Sequence, residues 1–420
     1  MMRNDSDRVN IEVHQSFESA RECWTVLEQK GQWYPFQSYA WLETWYKTIG
    51  MANGWELRIT ELRSGTCSML FPLGIRKQKG LRSMEWLGYG VSDYAGPLYD
   101  RFEPALMPDI LNALHAAARA ASCDVLYLDR IPAFCIDGSP NPFFSREFRR
   151  LHYSAYARRF DAAKLPAHTL SSKERYNLRR AEKKLSENSS MRFIVAESPE
   201  ERETLTRHMI QQKRARFAQM RVPDNFAIPG FAEFYLQASQ QPALPVHISA
   251  LMKEESPLAL HWGLVQPPRF FYLMPSFLMD ADVSRYSPGS LLLMHLFETA
   301  LARGCTFFDF ANGDEPYKKK WCTIEMPLMY YRAPTSAKGW PTFLLSDLLE
   351  TIKRSPLKPA LQKLRKGVRP LFLTFAPARE SRCAAVPSHP PSVNLGSRAD
   401  FRRLPRLLFT PISESAKLKQ

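Results

Sequence analysis

The stretch Ser284-Arg-Tyr-Ser-Pro-Gly-Ser290, running without a break into Leu291-Leu-Leu-Met-His-Leu-Phe-Glu-Thr-Ala-Leu301, decides how the chain is read. Pro288 suits the first position of a helix, where a backbone N–H would have no acceptor within the helix, and Ser287 is a favourable N-cap. Gly289 and Ser290 keep the first turn unobstructed, and Gly304 supplies the stop just past Arg303. A helix that opens on small residues presents unpaired N–H groups and the positive end of its dipole, an arrangement suited to an anion. Arg285 adds a fixed charge that matches phosphate. An ordinary capped helix explains the same spacing, and the local sequence leaves both readings open.

The segment that follows narrows the choice. Thr306-Phe-Phe-Asp-Phe310 reads as a short buried strand with one carboxylate among aromatics, and it runs into Ala311-Asn-Gly-Asp-Glu-Pro-Tyr-Lys-Lys-Lys-Trp321. Carboxylates, a phenol and a lysine thus gather just past a strand end, where α/β folds place their sites. Each also has a plain role available: Asp314 as a helix cap, Tyr317 and Trp321 as core, Lys318 to Lys320 as a solvated face.

Working outward, the second half reads as a strand at 192–195, helices at 199–220 and 230–240, and three strands at 246–252, 258–265 and 270–277. The helix at 289–303, the strand 306–310 and a last strand at 328–331 complete it. The first half repeats the order. Helices at 16–30 and 38–49 precede strands at 55–60, 67–75 and 84–87, then a helix at 104–121 and a strand at 125–128. The repeat is one of pattern, without evident sequence identity. Two mixed α/β units, 1–155 and 156–335, explain a length of 420 residues better than one oversized domain. Residues 336–420 form a basic, Pro/Ser/Arg-rich tail, with short helices expected at 343–352 and 357–368 and disorder from 376 onward.

Hydrophobic residues at 45% and aromatics at 12% suit sizeable cores. Most of the net charge of +15 lies beyond residue 335, with a second basic run from Lys173 to Lys184. Positive surfaces draw phosphate-rich cofactors, nucleic acid or acidic lipid alike, so charge does not choose among them. The seven cysteines (Cys23, Cys67, Cys123, Cys135, Cys305, Cys322, Cys383) form no C-x-x-C pair, which argues against a disulfide framework and a structural zinc site; no metal is expected. Met1 to Val13 has no apolar signal core, and no run reaches the roughly 18 to 20 apolar residues of a membrane span. The expectation is a cytoplasmic protein.

Ser287-Pro-Gly289 opening an apolar helix, then Phe308-Asp-Phe310, then Gly313-Asp-Glu-Pro-Tyr-Lys318 and Trp321, resembles the acetyltransferase family of cellulose-biosynthesis-related proteins, within the GNAT superfamily and distantly FemAB-like. Phe36-Gln37, Trp41-Leu42, Trp45, Pro72-Leu73, Leu87-Gly88, Asp93-Tyr94, Arg175 and Leu178-Arg-Arg180 add matches, so the resemblance covers about residues 20–332. It implies two GNAT-like halves, each a mixed central sheet flanked by helices, with acyl-CoA (acetyl-CoA or another) bound as co-substrate in the second. The family's pyrophosphate turn, [Q/R]-x-x-G-x-[G/A], meets Arg285, Tyr286, Ser287, Pro288, Gly289 and Ser290 here; Pro288 replaces the first glycine and removes one donor.

Acyl transfer to an amine needs a base for the ammonium, an acid for the departing thiolate and an N–H donor for the oxyanion. Asp314 or Glu315 is the expected base, with His261 as an alternative, and Tyr317 the expected acid. Lys318 is a candidate for cofactor phosphate. Arg175, Arg179 and Trp321 are candidates for an anionic acceptor. The resemblance implies an amino sugar or sugar-nucleotide of surface polysaccharide as that acceptor. Two other readings keep the fold: an aminoacyl-tRNA-dependent FemAB-like transferase, although nucleic acid fits a tail-borne charge poorly, and a non-catalytic accessory protein of exopolysaccharide assembly. The basic tail offers a membrane-surface or biosynthetic-complex contact.

Overall fold

A computed structural model describes residues 9–31, 33–160, 171–187 and 190–354. All of them belong to one compact unit, Met1–Cys383; the second unit, Ala384–Gln420, lies outside them, as do the expected helix 357–368 and the disorder expected from 376.

The first half opens with β1 (Asn10–His14), α1 (Phe17–Lys30) and α2 (Tyr39–Trp45), the last extended by one π-helical turn over Tyr46–Gly50. Ser16 and Ser38 cap the two helices, accepting from Ser19 N and Trp41 N. Strands β2 (Glu56–Leu57), β3 (Ile59–Ser64), β4 (Cys67–Phe71), β5 (Leu73–Gln78), β6 (Leu81–Trp86) and β7 (Leu98–Tyr99) follow, then α3 (Met107–Ala120), β8 (Val125–Pro132) and β9 (Arg149–Arg159). The second half comprises α4 (Ser172–Leu185), β10 (Met191–Val195), α5 (Pro199–Met220), α6 (Phe231–Gln240), β11 (Val246–Lys253), β12 (Ser256–Gln266), β13 (Arg269–Phe277), α7 (Ala281–Ser284), α8 (Pro288–Ala302), β14 (Phe307–Asn312), α9 (Lys318–Trp321) and β15 (Ile324–Pro334). α10 (Gly339–Arg354) closes the described chain and is longer than the helix expected at 343–352.

The fold is a mixed α/β architecture with two sheets among the described residues. A small one runs β1-β3-β4-β7; the large one has eleven strands in the order β10-β11-β12-β13-β14-β9-β15-β8-β6-β5-β2. Two segments expected as single strands, 55–60 and 67–75, each break in two and send one part to each sheet. Pro72 forces the second break because it has no N–H for a ladder, and Arg58 N bonds to Leu73 O at 2.9 Å across the crossing.

β9 was not expected from the sequence, and it organises the centre of the large sheet. The 155/156 division falls inside it. It leaves the first half to pair antiparallel with β14, while β15 returns from the second half to lie between β9 and β8. The closing strand of each half therefore completes the ladder of the other.

One core joins the helices of both halves: Trp24, Trp41 and Trp45 are buried in the same cluster as Phe234, Tyr235, Trp262 and Phe271. Two of its buried indole N–H groups find hydroxyl acceptors, Trp41 in Ser92 Oγ at 2.9 Å and Trp262 in Ser239 Oγ at 2.8 Å. A second core lies beneath α8, where Leu292, Leu296 and Phe297 meet Phe270, Phe308 and Phe310.

Candidate active site

The site is built where two parallel strands part. β13 and β14 pair at three positions only, Arg269↔Phe307, Phe270↔Phe308 and Phe271↔Asp309. Beyond them β14 bends away: its register with β9 slips between Asp309 and Asn312, and Ala311 takes a left-handed φ of 59°. From Tyr272 to Phe277 the edge of β13 that faced β14 has no strand partner among the described residues. Such an edge offers N–H and C=O groups to an extended, amide-bearing chain.

Asp309 holds the apex of the gap. It is fully buried and accepts from Tyr94 OH at 2.6 Å, Arg269 Nη1 at 3.0 Å and Ala311 N at 2.8 Å. Arg269, 3% exposed, also donates to Ile136 O at 2.6 Å and Cys135 O at 3.2 Å. The cluster thus ties the parting strands to Tyr94 and the 135–136 turn of the first half. Burial, and next the charge of Asp309, hold the Tyr94 phenol well above its usual range, so it remains the donor.

α8 begins at the far end of the gap, beside Phe277. Its Ser287 sits at the N-cap position but in the left-handed region (φ 52°, ψ 56°) with no side-chain cap bond, so the expected serine cap does not form. Instead the Ser287 carbonyl accepts from Ser290 N at 2.8 Å and Leu291 N at 3.3 Å. Pro288 has no N–H, and among the described residues the Gly289 N–H meets no acceptor. A Cβ built on Gly289 would meet only Phe277 Cδ1, at 3.9 Å, and the backbone there is not left-handed. Neither crowding nor conformation demands glycine, which leaves clear space over the first turn. Arg285 is exposed beside this turn, paired with Asp282 at 3.2 Å and 5.0 Å from the Tyr286 ring.

The loop after β14 is fastened to β9. Gly313, at φ 111°, donates its N–H to Ser154 O at 3.0 Å. The exposed Asp314 carboxylate accepts from Tyr156 OH at 3.0 Å and Ser154 N at 3.3 Å. Burial, and then the Asp314 charge, raise the Tyr156 phenol above its usual range. Tyr317 is half-buried, its ring 6.3 Å from that of Phe310.

Four expected site residues, Lys318, Glu315, Trp321 and His261, have surroundings that their sequence reading did not give. Lys318 is 2% exposed; its ammonium donates to Asn312 O at 2.6 Å and Ala311 O at 3.3 Å and pairs with Glu315 at 2.9 Å. That side chain holds the loop from within, and Glu315 is its counter-charge. Trp321 is core: 3% exposed, 5.6 Å from Phe297, with its carbonyl accepting from Arg158 Nε. His261 is wholly buried on β12, stacked on Tyr272 at 5.1 Å and 5.8 Å from His247, so it reaches the gap only through the Tyr272 ring. Arg175 and Arg179 lie on α4, whose first turn is held near α9 by a Glu174–Lys320 ion pair of 2.7 Å.

Burial, with Arg303 and Arg202 next, lowers His247 to about 4, and burial takes His261 well below its ordinary value. Both groups bind a proton less readily folded than unfolded, so their contribution to stability is complete above about pH 6.5 and is lost as pH falls towards 4. Denaturant titrations across that range should show the loss, and a His247→Phe protein should lose less.

Sequence reasoning did not single out Arg269, Tyr156 or Ser154, and quoted Tyr94 only as part of a likeness. A signal for Arg269 existed: a carboxylate buried among phenylalanines requires a cation. Among the described residues one group has metal-ligating atoms within 4.8 Å of one another, His14, Cys23 and Glu61. Its carboxylate is already shared by Arg63 at 2.5 Å and His14 at 3.3 Å.

Residues 172–319 match the family model of the acetyltransferase (GNAT) domain. The chain therefore carries a GNAT-type acyltransferase domain, and the gap between β13 and β14 lies inside it. No curated protein matches the chain. Among solved structures, FemX is similar at 10% identity and a TM-score of 0.52, over 80% of this chain and 99% of that one, which shows a shared fold. A conserved protein of Bacteroides thetaiotaomicron VPI-5482 (10% identity, TM-score 0.47, 76% and 99% covered) and a tandem GNAT protein from the clavulanic acid biosynthesis pathway (8% identity, TM-score 0.43, 78% and 99% covered) are also similar.

Proposed function

We propose that the protein transfers an acyl group, acetyl in the first instance, from acyl-CoA to the amine of a sugar or sugar-nucleotide used in surface polysaccharide. The observation that carries the acyl-CoA part is the unpaired edge of β13 leading to the open first turn of α8, inside the GNAT-matching residues. In this reading the pantetheine arm lies along Tyr272 to Phe277. The pyrophosphate meets the turn Ser287 to Ser290, with Arg285 and Tyr286 beside it. The likeness of Ser287-Pro-Gly289, Phe308-Asp-Phe310 and Gly313 to Lys318 to cellulose-biosynthesis-related acetyltransferases supports the acceptor. Arg175 and Arg179, exposed or half-exposed on α4, would meet its anionic part.

The chain divides in this proposal into a first GNAT-like half (1–155), the acyltransferase half (156–335) and a basic tail (336–420). Acyl-CoA places its work in the cytoplasm; no helix among the described residues is long and apolar enough to cross a membrane. Asp314 takes the proton from the acceptor ammonium, directly or through water. The free amine attacks the thioester carbon, and an N–H of the unpaired β13 edge steadies the oxyanion. The C–S bond breaks as the amide forms; Tyr317 protonates the departing thiolate and takes back the proton that the acylated nitrogen sheds. Glu315 and Lys318 position the loop, and His261 backs the Tyr272 ring on the β13 side of the gap.

Release of CoA thiol from acetyl-CoA in the presence of glucosamine or a UDP-amino sugar tests the reading. Asp314→Asn should lower kcat about 10²-fold or more with acetyl-CoA affinity unchanged. Full activity in that variant removes Asp314 as base. No acetyl-CoA binding by calorimetry removes the reading altogether, and salt-dependent tRNA binding in its place would favour an aminoacyl-tRNA donor.

A further inference from the structure

We propose that the outward face of α10 docks the protein onto an anionic phospholipid surface. α10 is seated on the body by its inner side: Gly339 is buried so close to the Asp124 carbonyl that any side chain there would clash, and Ser346 is 8% exposed. The opposite side carries Trp340, Leu344, Leu345 and Leu348, each 53 to 60% exposed. Their spacing, four, one and three residues apart, gathers them into a single helical stripe. Eleven large apolar side chains are exposed among the described residues, and four of them are in this stripe. Single exposed apolar residues are ordinary, whereas a contiguous group of them marks a contact surface.

Charge selects the occupant. The sequence from Lys353 to Arg369 holds seven Lys and Arg and no Asp or Glu. A second copy of the chain, itself carrying a net charge of +15, would be repelled by such a run, whereas an acidic bilayer attracts it. Clusters of four to eight cations beside an amphipathic helix suit acidic headgroups, and tryptophan favours the interfacial depth. At 16 residues α10 is too short to span a bilayer and would lie in its surface. The proposal is independent of the acyl-CoA reading.

The full-length protein, mixed with vesicles of phosphatidylcholine alone or with roughly one-third phosphatidylglycerol, is sedimented and assayed in pellet and supernatant. It should pellet with the anionic vesicles, weakly with the neutral ones, and less at high salt. A Trp340→Ser/Leu344→Ser/Leu348→Ser variant should partition at least about tenfold less. A Lys363→Glu/Arg365→Glu/Lys366→Glu variant should lose the preference for the anionic vesicles. Circular dichroism and denaturant titration on both variants verify an intact body. The proposal is overturned if the wild type stays in the supernatant, if the serine variant pellets as well as wild type, or if the stripe proves to hold a dimer that does not bind vesicles.

Discussion

Replacing Asp309 by alanine should lower the unfolding free energy by about 3–5 kcal/mol, measured by denaturant titration. The substitution leaves the Arg269 guanidinium, 3% exposed, without its counter-charge, and leaves Tyr94 OH and Ala311 N without their acceptor. An uncompensated buried cation is far costlier than the loss of an exposed ion pair. Asp309→Asn should cost less because an amide oxygen still accepts two of the three bonds. The paired variant Arg269→Met/Asp309→Leu should recover much of the loss by removing both charges together. An Asp309→Ala protein as stable as wild type would mean that the apex is hydrated and that these bonds contribute little.

Gly289→Val should raise the dissociation constant for acetyl-CoA about tenfold to hundredfold while the melting temperature stays nearly constant. The fold tolerates the side chain, since only Phe277 Cδ1 at 3.9 Å is near and valine in a helix costs a few tenths of a kcal/mol over better formers. A ligand phosphate over the first turn does not tolerate it. The branched group occupies the space above the Gly289 N–H, and a hydrogen bond to a charged group is worth about 1.5–3 kcal/mol. Gly289→Ala should fall between the two. An affinity within about twofold of wild type would remove α8 from the phosphate site. The contrast with Asp309 is diagnostic, because one substitution acts on the fold and the other on the ligand alone.

The elements around these residues differ in how openly the sequence displays them. α8 was plain because Pro288 and Gly304 bracket an apolar run, and β11 to β13 were plain because their apolar runs are long. β9 was hidden. Its residues are buried, half-buried and exposed without strict alternation, and its partners β14 and β15 come some 150 residues later in the chain. Lys318 was hidden for another reason. In the run Lys318-Lys-Lys320 nothing local says which ammonium turns inward, since the carbonyls that receive it belong to the bend at Ala311 and Asn312. Ser287 had the right residue type for a cap, but a left-handed backbone turned its carbonyl to that task. Trp321 and His261 are residue types common in both sites and cores, and only the packing against Phe297 and Tyr272 separates the two uses.

The exchange of closing strands has a consequence in time. On the ribosome β8 is complete once Pro132 has been made, yet its neighbour in the finished sheet, β15, begins only at Ile324. At about 5–20 residues per second the nascent chain carries that open edge for roughly 10–40 s. An unpaired strand is a template for the wrong partner during that wait. Recruitment of a ribosome-associated chaperone to the nascent chain is therefore to be looked for between the synthesis of residue 132 and that of residue 334. A message truncated after the first half should yield a product that aggregates, because the strand that closes β8 is missing from it.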